Sequence, residues 1–178
     1  NNPFTTITQT GLTPDVSYSF TLTPYNIYNV EGTSQLKSNI YTLATVSSVL
    51  LSNANATTID ISFTRSDLSY VQIFAYKGST NVSNAYFSKP TANVTYVGLS
   101  ADASYSFSVV PYNHDTTPVA GTAVSSDILY TLSTVNTVTM TVRDSSSINV
   151  DFRNSDLSYV TIRANNGSTS QQYGIGAN

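Results

Sequence analysis

Apolar and polar residues alternate with a period of two over much of the chain. Residues 16–23, VSYSFTLT, place Val, Tyr, Phe and Leu on one face and Ser and Thr on the other, and residues 58–63, TIDISF, follow the same pattern. Such alternation indicates half-buried antiparallel strands. Turn-forming segments such as LTPD, RSDL and KGST lie between the strands, and no segment carries a convincing helical stripe. The pattern predicts an all-β fold, either a sandwich or a barrel.

The chain also contains an internal repeat. Residues 11–26, GLTPDVSYSFTLTPYN, return as residues 98–113, GLSADASYSFSVVPYN, 87 positions later. The second copy then gains two residues, so that YTLATV at 41–46 returns as YTLSTV at 130–135 with an offset of 89. A place that tolerates insertion is a surface loop. This period is far longer than the roughly 20–50 residues of a solenoid repeat and matches a small autonomous domain.

Composition narrows the class of protein and of partner. Charged residues make up 10% of the 178 residues, and Ser, Thr, Asn and Tyr take the place of Lys and Glu, which favours strands over helices. A net charge of −3 argues against a nucleic-acid partner, which requires a basic surface. No run of 18 apolar residues occurs, so we expect no membrane insertion. The chain has no Cys, which excludes disulfides, a thiol nucleophile and zinc–thiolate sites.

The repeated phrase resembles the second half of a fibronectin type III repeat. In that family a Leu-x-Pro turn precedes a tyrosine that closes the corner between strands E and F, and Tyr18 and Tyr105 occupy this position. The resemblance implies that each hydroxyl bonds back to nearby backbone, as in the tyrosine corner of sandwich domains. TIDISF and INVDF resemble strand B, with Phe63 and Phe152 where the family usually carries Trp, a residue that this chain lacks.

Alignment to the family predicts tandem immunoglobulin-like, fibronectin type III seven-stranded β-sandwiches. Residues 1–43 are expected to hold strands E–G of one domain, residues 44–132 a complete domain, and residues 133–178 strands A–C′ of a further domain. The junctions LATV and LSTV are short, so we expect consecutive domains to stack as a semi-rigid rod. Each incomplete half would expose an inner apolar face. Either the chain is a segment of a longer one, or end-to-end neighbours donate the missing strands.

Three loops of the central domain form the candidate interaction site. The B–C, D–E and F–G loops share one end of this fold, so we expect residues 64–69, 88–91 and 113–121 to cluster there. The candidate interaction residues on these loops are Arg65, Asp67, Lys89, Asn113, His114 and Asp115.

No catalytic residue, metal site or cofactor is predicted, and we expect no enzyme activity. His114 is the only histidine, and the first copy has Ile27 in the aligned position, so a solvated loop is favoured over a base or a metal ligand. Asp67 and Asp156 lie in the duplicated SDLSY. A turn aspartate that bonds its own backbone is favoured there, because calcium requires about six or more oxygen ligands.

The tyrosines of the predicted surface have two interpretations. Tyrosine is enriched in protein interfaces because it gives a large contact area at low entropic cost. It is also a good strand former, so the sequence alone leaves both explanations open. The residues concerned are Tyr25, Tyr28, Tyr70, Tyr76 and Tyr112.

The sequence composition of the repeats, which are rich in Ser, Thr, Asn and Tyr and contain the motif PYN, resembles that of tandem repeats in virion proteins of large DNA viruses. The resemblance implies a non-catalytic structural module in the virion: a spacer, cement or attachment element of a capsid-associated or fibre protein. Its partners would be other virion or surface proteins, including neighbouring copies or flanking domains of the same longer chain. This composition also resembles that of repeats in secreted bacterial surface proteins and polysaccharide-degrading enzymes. The alternative is therefore an adhesive or carbohydrate-associated spacer that is extracellular or at the cell surface.

Overall fold

The computed structural model describes residues 5–89, 91–154, 159–164 and 169–174, and all regular structure in these ranges is β, as the alternation predicted. No helix in these ranges has the length and apolarity needed to cross a membrane. The strands are β1 (Ser17–Leu22), β2 (Gln35–Tyr41), β3 (Val46–Ser52), β4 (Thr58–Arg65), β5 (Tyr70–Lys77), β6 (Thr80–Ser88), β7 (Asn93–Val97), β8 (Ser104–Tyr112), β9 (Val124–Ser125), β10 (Leu129–Tyr130), β11 (Val135–Val142), β12 (Ile148–Asn154), β13 (Tyr159–Ala164) and β14 (Thr169–Gly174).

Strands β3 to β10 form a complete sandwich. One sheet has the order β3–β4–β7, and the other has the order β10–β8–β5–β6 with β9 also paired to β8. All of these pairs are antiparallel. β9 and β10 are two parts of one last strand along β8. The two sheets therefore have the fibronectin type III arrangement, A–B–E against G–F–C–C′, and the predicted fold class is confirmed.

The core of the sandwich consists of the apolar residues from the period-two pattern. The inward-facing residues of β4, β5 and β8 are buried, while the residues that alternate with them, mostly Ser, Thr and Tyr, lie on the outer faces. The ring of Phe107 packs at its centre, with its centroid 5.1 Å from that of Tyr96. Burial of apolar surface contributes about 25 cal/mol per Å². The largest contributors from these three strands are Ile59, Ile61, Phe63, Val71, Ile73, Tyr105, Phe107 and Val109.

The rest of the described chain forms two-stranded sheets only. β1 pairs with β2, β11 with β12, and β13 with β14. The first pair precedes the central sandwich in sequence, and the other two pairs follow it. Residues 5–10, which include the positions aligned with strand E, contain no strand, although strands E–G were expected within 1–43. The physical reason is that strand E pairs with strand B, as β7 does with β4, and the first copy brings no strand B. Residues 1–4 lie outside the described ranges.

Equivalent residues differ in burial because, among the described residues, only the central copy packs two complete sheets against each other. Phe107 is fully buried, whereas its counterpart Phe20 is half-buried. Val109 is also fully buried, but its counterpart Leu22 is 71% exposed. In the last copy Ile148 is 61% exposed. A similar strand sequence therefore leaves its inner face open to solvent where no complete facing sheet packs against it.

A matched pair of substitutions tests this difference. We expect Phe107→Ala to reduce the free energy of unfolding of the sandwich by about 3–5 kcal/mol, because it leaves a cavity between two sheets. Phe20→Ala removes the same ring from an open face, so we expect a loss below about 1 kcal/mol. Urea denaturation at a concentration where the chain is monomeric measures both, and equal losses would contradict the assignment of the core.

Candidate interaction site

The three loops expected to cluster do meet at one end of the sandwich. The backbone N–H of Ser69, in the β4–β5 loop, donates to the carbonyl of Tyr112 at 3.0 Å, at the start of the β8–β9 loop. The N–H of Lys89, in the β6–β7 loop, donates to the carbonyl of Ser69 at 2.9 Å. Residues from all three loops are therefore tied together by backbone hydrogen bonds.

Three of the candidate residues on this end make no hydrogen bond or ion pair with the first copy in the described ranges. Arg65 ends β4, and its guanidinium donates to the carbonyl of Ser66 at 3.0 Å. Asp67 and Lys89 are exposed. The expectation that Asp67 organises its turn is wrong, because the side chain of Ser66 does so instead. The Ser66 hydroxyl donates to the Asp67 carbonyl at 3.0 Å and accepts the N–H of Thr45 at 3.0 Å.

Asn113 closes the β8–β9 loop and also reaches the first copy. Its Oδ1 accepts the N–H of Val119 at 2.8 Å, and its Nδ2 donates to the carbonyl of Thr42 at 3.2 Å. Asn26 closes the equivalent loop of the first copy, where its Oδ1 accepts the N–H of Val30 at 3.0 Å. The asparagine of each PYN phrase thus shapes its loop, and in Asn113 the remaining amide donor bonds to the preceding copy.

His114 contacts a buried carboxylate of the first copy. Its backbone N–H donates to Asp15 Oδ1 at 2.9 Å, and its Nδ1 lies 2.7 Å from Asp15 Oδ2. The Asp15 side chain has 0% exposure and that of His114 has 29%, so the pair is largely removed from water. The interpretation of His114 as a solvated loop residue is therefore wrong. Its neighbour Asp115 is half-buried and accepts a hydrogen bond from Thr116 at 3.2 Å.

The segment that joins the two copies is held on both sides. Ala44 is fully buried, and Thr45 exchanges backbone and side-chain hydrogen bonds with Ser66. A Cβ added to Gly121 would lie 2.1 Å from the carbonyl oxygen of Ala44, so only glycine permits this close approach. We call this set of contacts the repeat junction; it comprises Asp15, Thr42, Ala44, Thr45, Ser66, Asn113, His114 and Gly121.

The turn that carries Asp15 is pre-shaped by hydrogen bonds within the first copy. The hydroxyl of Tyr18 accepts the N–H of Thr13 at 2.9 Å. Thr42 Oγ1 donates to the Thr13 carbonyl at 2.6 Å and accepts the N–H of Val16 at 3.2 Å. Asp15 adopts φ +53°, a left-handed conformation that aspartate tolerates. These contacts, which do not involve His114, fix the position of the Asp15 carboxylate.

The central copy repeats this turn without the partner. The hydroxyl of Tyr105 accepts the N–H of Ser100 at 3.1 Å, and Thr131 Oγ1 donates to the Ser100 carbonyl at 2.7 Å. Asp102 stands where Asp15 stands, with φ +51°. Its carboxylate has no hydrogen-bond partner among the described residues. The central copy therefore has the same turn, and the Asp102 carboxylate in it is free to accept a hydrogen bond.

Three tyrosines form an aromatic stack on the outer face of the β5–β8 sheet. The rings of Tyr70 and Tyr112 are stacked, with centroids 4.4 Å apart, and Tyr86 lies 6.0 Å from Tyr70. Desolvation, and secondarily the neighbouring Tyr112 and Tyr86 hydroxyls, raise the pKa of Tyr70 above its ordinary value. Tyr112 also donates to Gln72 Oε1 at 3.2 Å. Two of the other predicted surface tyrosines, Tyr25 and Tyr28, are exposed on the first copy.

The outer face of the opposite sheet carries an open polar groove of about 270 Å³. Asp60 lies in it and accepts hydrogen bonds from Thr95 Oγ1 at 2.6 Å and from Asn53 Nδ2 at 2.9 Å. These bonds lower the pKa of Asp60, with that from Thr95 having the larger effect. Each oxygen of the Asp60 carboxylate therefore accepts one side-chain hydrogen bond on this exposed strand face. The described residues contain no group of three or more His, Asp or Glu side chains that could hold a metal ion.

Sequence reasoning missed the partners of the candidate loops. Asp15, Thr42 and Gly121 each have a counterpart in the other copy, and that repetition was the available signal. His114 gave no such signal, because Ile27 stands in its aligned position.

Comparisons with known proteins give likenesses among solved structures only. Neither the protein-family models nor the curated proteins include a match to the chain. Among solved structures, a crystal structure of the FN1–FN3 domains of chicken CNTN1 is similar with 12% sequence identity and a TM-score of 0.39, covering 67% of this chain. The chain spans 45% of the length of that structure. The assignment of the fold rests on the strand order of β3 to β10 itself.

We expect loss of the histidine to open the repeat junction rather than unfold the sandwich. His114→Ala leaves the Asp15 carboxylate with one donor, and a buried carboxylate without its partner costs about 3–5 kcal/mol. Opening to water avoids that cost. Spin labels on cysteines introduced at Ser38 and Asn84 should give a narrow distance distribution in the parent chain and a broad one in His114→Ala. Ile27→Ala, at the aligned position, is the control and should stay narrow; a narrow distribution in both variants would show that the pair does not hold the junction.

Proposed function

We propose that this chain is a non-catalytic spacer and interaction module in which sandwich repeats are joined end to end in a fixed relation. The observation that supports the proposal is the repeat junction. There the first copy contributes a buried carboxylate and a backbone carbonyl, and the central sandwich contributes the His114 and Asn113 donors that meet them. A flexible tether between independent domains needs neither buried charge nor a hydrogen-bonded linker.

The linker itself argues for stiffness. The Leu43 carbonyl accepts the N–H of Asp15 at 3.2 Å, and Thr45 is bonded to Ser66 in both directions at 3.0 Å. Ala44 between them is fully buried. A linker behaves as a random coil when its residues are small, polar and solvated. Here each of these residues is either hydrogen-bonded or buried, so the linker transmits orientation from one copy to the next.

The cellular location of this function is proposed from the sequence composition of the repeats, which are rich in Ser, Thr, Asn and Tyr. We propose a spacer, cement or attachment element of a virion, within a capsid-associated or fibre protein. Its partners would be other virion proteins and neighbouring repeats. Labelling with an antibody raised against the chain, followed by electron microscopy of purified particles and of intact cells from its source, tests this location. Label on particles supports a virion role, and label confined to the cell surface or the medium contradicts it.

One observation favours the alternative, an adhesive or carbohydrate-associated spacer of a secreted or surface protein. The aromatic stack of Tyr70, Tyr86 and Tyr112 lies on an open sheet face, with Tyr86 63% exposed. Aromatic residues with one polar end are enriched in binding surfaces. A screen of immobilised glycans and of surface proteins tests this alternative, with Tyr86→Ala as the variant and Tyr28→Ala, on an exposed loop of the first copy, as its control.

A second matched pair of variants tests the stiffness of the linker. Gly121→Ala places a Cβ where the Ala44 carbonyl lies, so we expect the linker to detach and the two copies to tumble separately. Gly32→Ala, at the equivalent position, meets only the Pro24 ring and carbonyl, with the ring carbon at 3.0 Å, and should leave the junction intact. Backbone ¹⁵N relaxation measures the correlation time of each part. One shared correlation time in Gly121→Ala would contradict the proposed linker.

A further inference from the structure

In the described part of the chain, the central sandwich has four strand edges, and three of them carry features that block pairing with another strand. The edge strand β3 shifts register between Ser47 and Leu50, and Ser48 there has φ +53°. The edge strand β7 has only five residues. The last strand is split into β9 and β10 by a segment that contains the exposed Asp127. Bulges, short strands and charged residues are the features that protect natural sheet edges.

The fourth edge, β6, lacks this protection over residues 84–88. The strand has nine residues, none of them charged and none of them Pro. Its register shift lies near the turn to β5, opposite Ala75 and Tyr76, so residues 84–88 pair regularly with β5. Among the described strands, β6 pairs with β5 alone. Its other side is therefore an open edge that accepts a further strand.

The backbone groups on this open edge belong to Asn84, Tyr86 and Ser88. The N–H of Lys89, directly after β6, donates to the carbonyl of Ser69 on the β5 side at 2.9 Å. In an antiparallel pair, successive residues direct their N–H and C=O groups alternately towards the partner strand and away from it. The backbone groups of residues 88, 86 and 84 therefore point away from β5, towards the open edge.

We propose that two copies of this chain associate side by side, with β6 of one copy pairing antiparallel with β6 of the other about a two-fold axis at Tyr86. The inference goes beyond the end-to-end spacer role and does not depend on it. In this register the two Tyr86 residues lie opposite each other, and the other pairs are Asn84 with Ser88 and Ala85 with Phe87. Residues 84, 86 and 88 then meet one another, so their outward N–H and C=O groups bond across the axis.

The side chains of β6 are complementary to a second copy of themselves. Tyr86 is 63% exposed on the outer face, beside Tyr70 at 6.0 Å between ring centroids, and the axis places a second Tyr86 next to it. On the inner face, Ala85 and Phe87 pack against the core and remain partly exposed, and the pairing covers each with the other. The remaining pair joins an exposed amide to an exposed hydroxyl. Because the strand carries no charge, the two-fold pairing places no like charges opposite each other, which favours a second copy as the partner.

Cysteine cross-linking in the full chain tests the register, since the chain contains no other cysteine. Residues directly opposite each other in a hydrogen-bonded antiparallel pair have Cα atoms about 5.5 Å apart, within disulfide reach. We expect a mixture of the single variants Asn84→Cys and Ser88→Cys to give a disulfide-linked heterodimer on mild oxidation. Each variant alone is the control and should give at least about 10-fold less homodimer, because its two cysteines would lie about 13 Å apart along the strands.

Sedimentation velocity over a range of concentrations tests the association without a cross-link. Tyr86→Lys places two positive charges opposite each other at the axis and should weaken the dimer at least about 10-fold. Tyr28→Lys makes the same exchange on an exposed loop of the first copy and should leave the dimer unchanged. Thermal unfolding of the central sandwich, unchanged in both variants, shows that neither result comes from global unfolding.

Three results would each overturn the proposal. The first is a parent chain that stays monomeric up to about 1 mM. The second is equal association of Tyr86→Lys and Tyr28→Lys, because the contact would then lie on another surface. The third is cross-linking of either single cysteine variant with itself as readily as in the mixture, which would exclude the two-fold register at Tyr86.

Discussion

A strand with one apolar face buries that face only when a second layer of structure covers it. This constraint explains the difference between the central copy and the two ends. β8 and β1 have nearly the same sequence, yet Phe107 is fully buried in one and Phe20 is half-exposed in the other. The difference arises from the facing sheet, which β3, β4 and β7 supply to β8 and which nothing in the described chain supplies to β1.

The repeat junction is the second level of organisation, and it depends on hydrogen bonds rather than on apolar burial. The Asp15 carboxylate has no exposure, and burying a charge is costly unless donors satisfy it. The backbone N–H of His114 donates to Asp15 Oδ1 at 2.9 Å, and His114 Nδ1 lies 2.7 Å from Asp15 Oδ2, although the two residues are 99 positions apart in sequence. The junction therefore converts the relation between two copies into a specific contact. An interaction of this kind restricts orientation, which is the property that a spacer requires.

Much of the fold follows from the sequence, because its determinants are local or repeated. The period-two alternation predicts the strands, and the resemblance of the repeated motifs to a fibronectin type III repeat implies their order. The absence of strand E at residues 5–10 was not predicted, since strand formation there depends on a partner strand far away in sequence. The candidate site was predicted only in part. The clustering of the loops follows from the strand order. The contact of His114 with Asp15 does not, because His114 has no histidine counterpart in the first copy and no local sequence pattern encodes the contact.

The central claim is that this chain holds consecutive repeats in a fixed relation through the buried Asp15 carboxylate. Native-state hydrogen exchange at the His114 backbone amide tests it most directly, because that N–H donates to Asp15 Oδ1 at 2.9 Å. The account predicts slow exchange at His114 in the full chain. In Asp15→Ala exchange there should rise to the rate of an exposed loop amide, while the amide of Val109 in the sandwich core keeps its protection. An amide of His114 that exchanges in the parent chain as fast as that of Thr116, an exposed residue of the same loop, would contradict the claim.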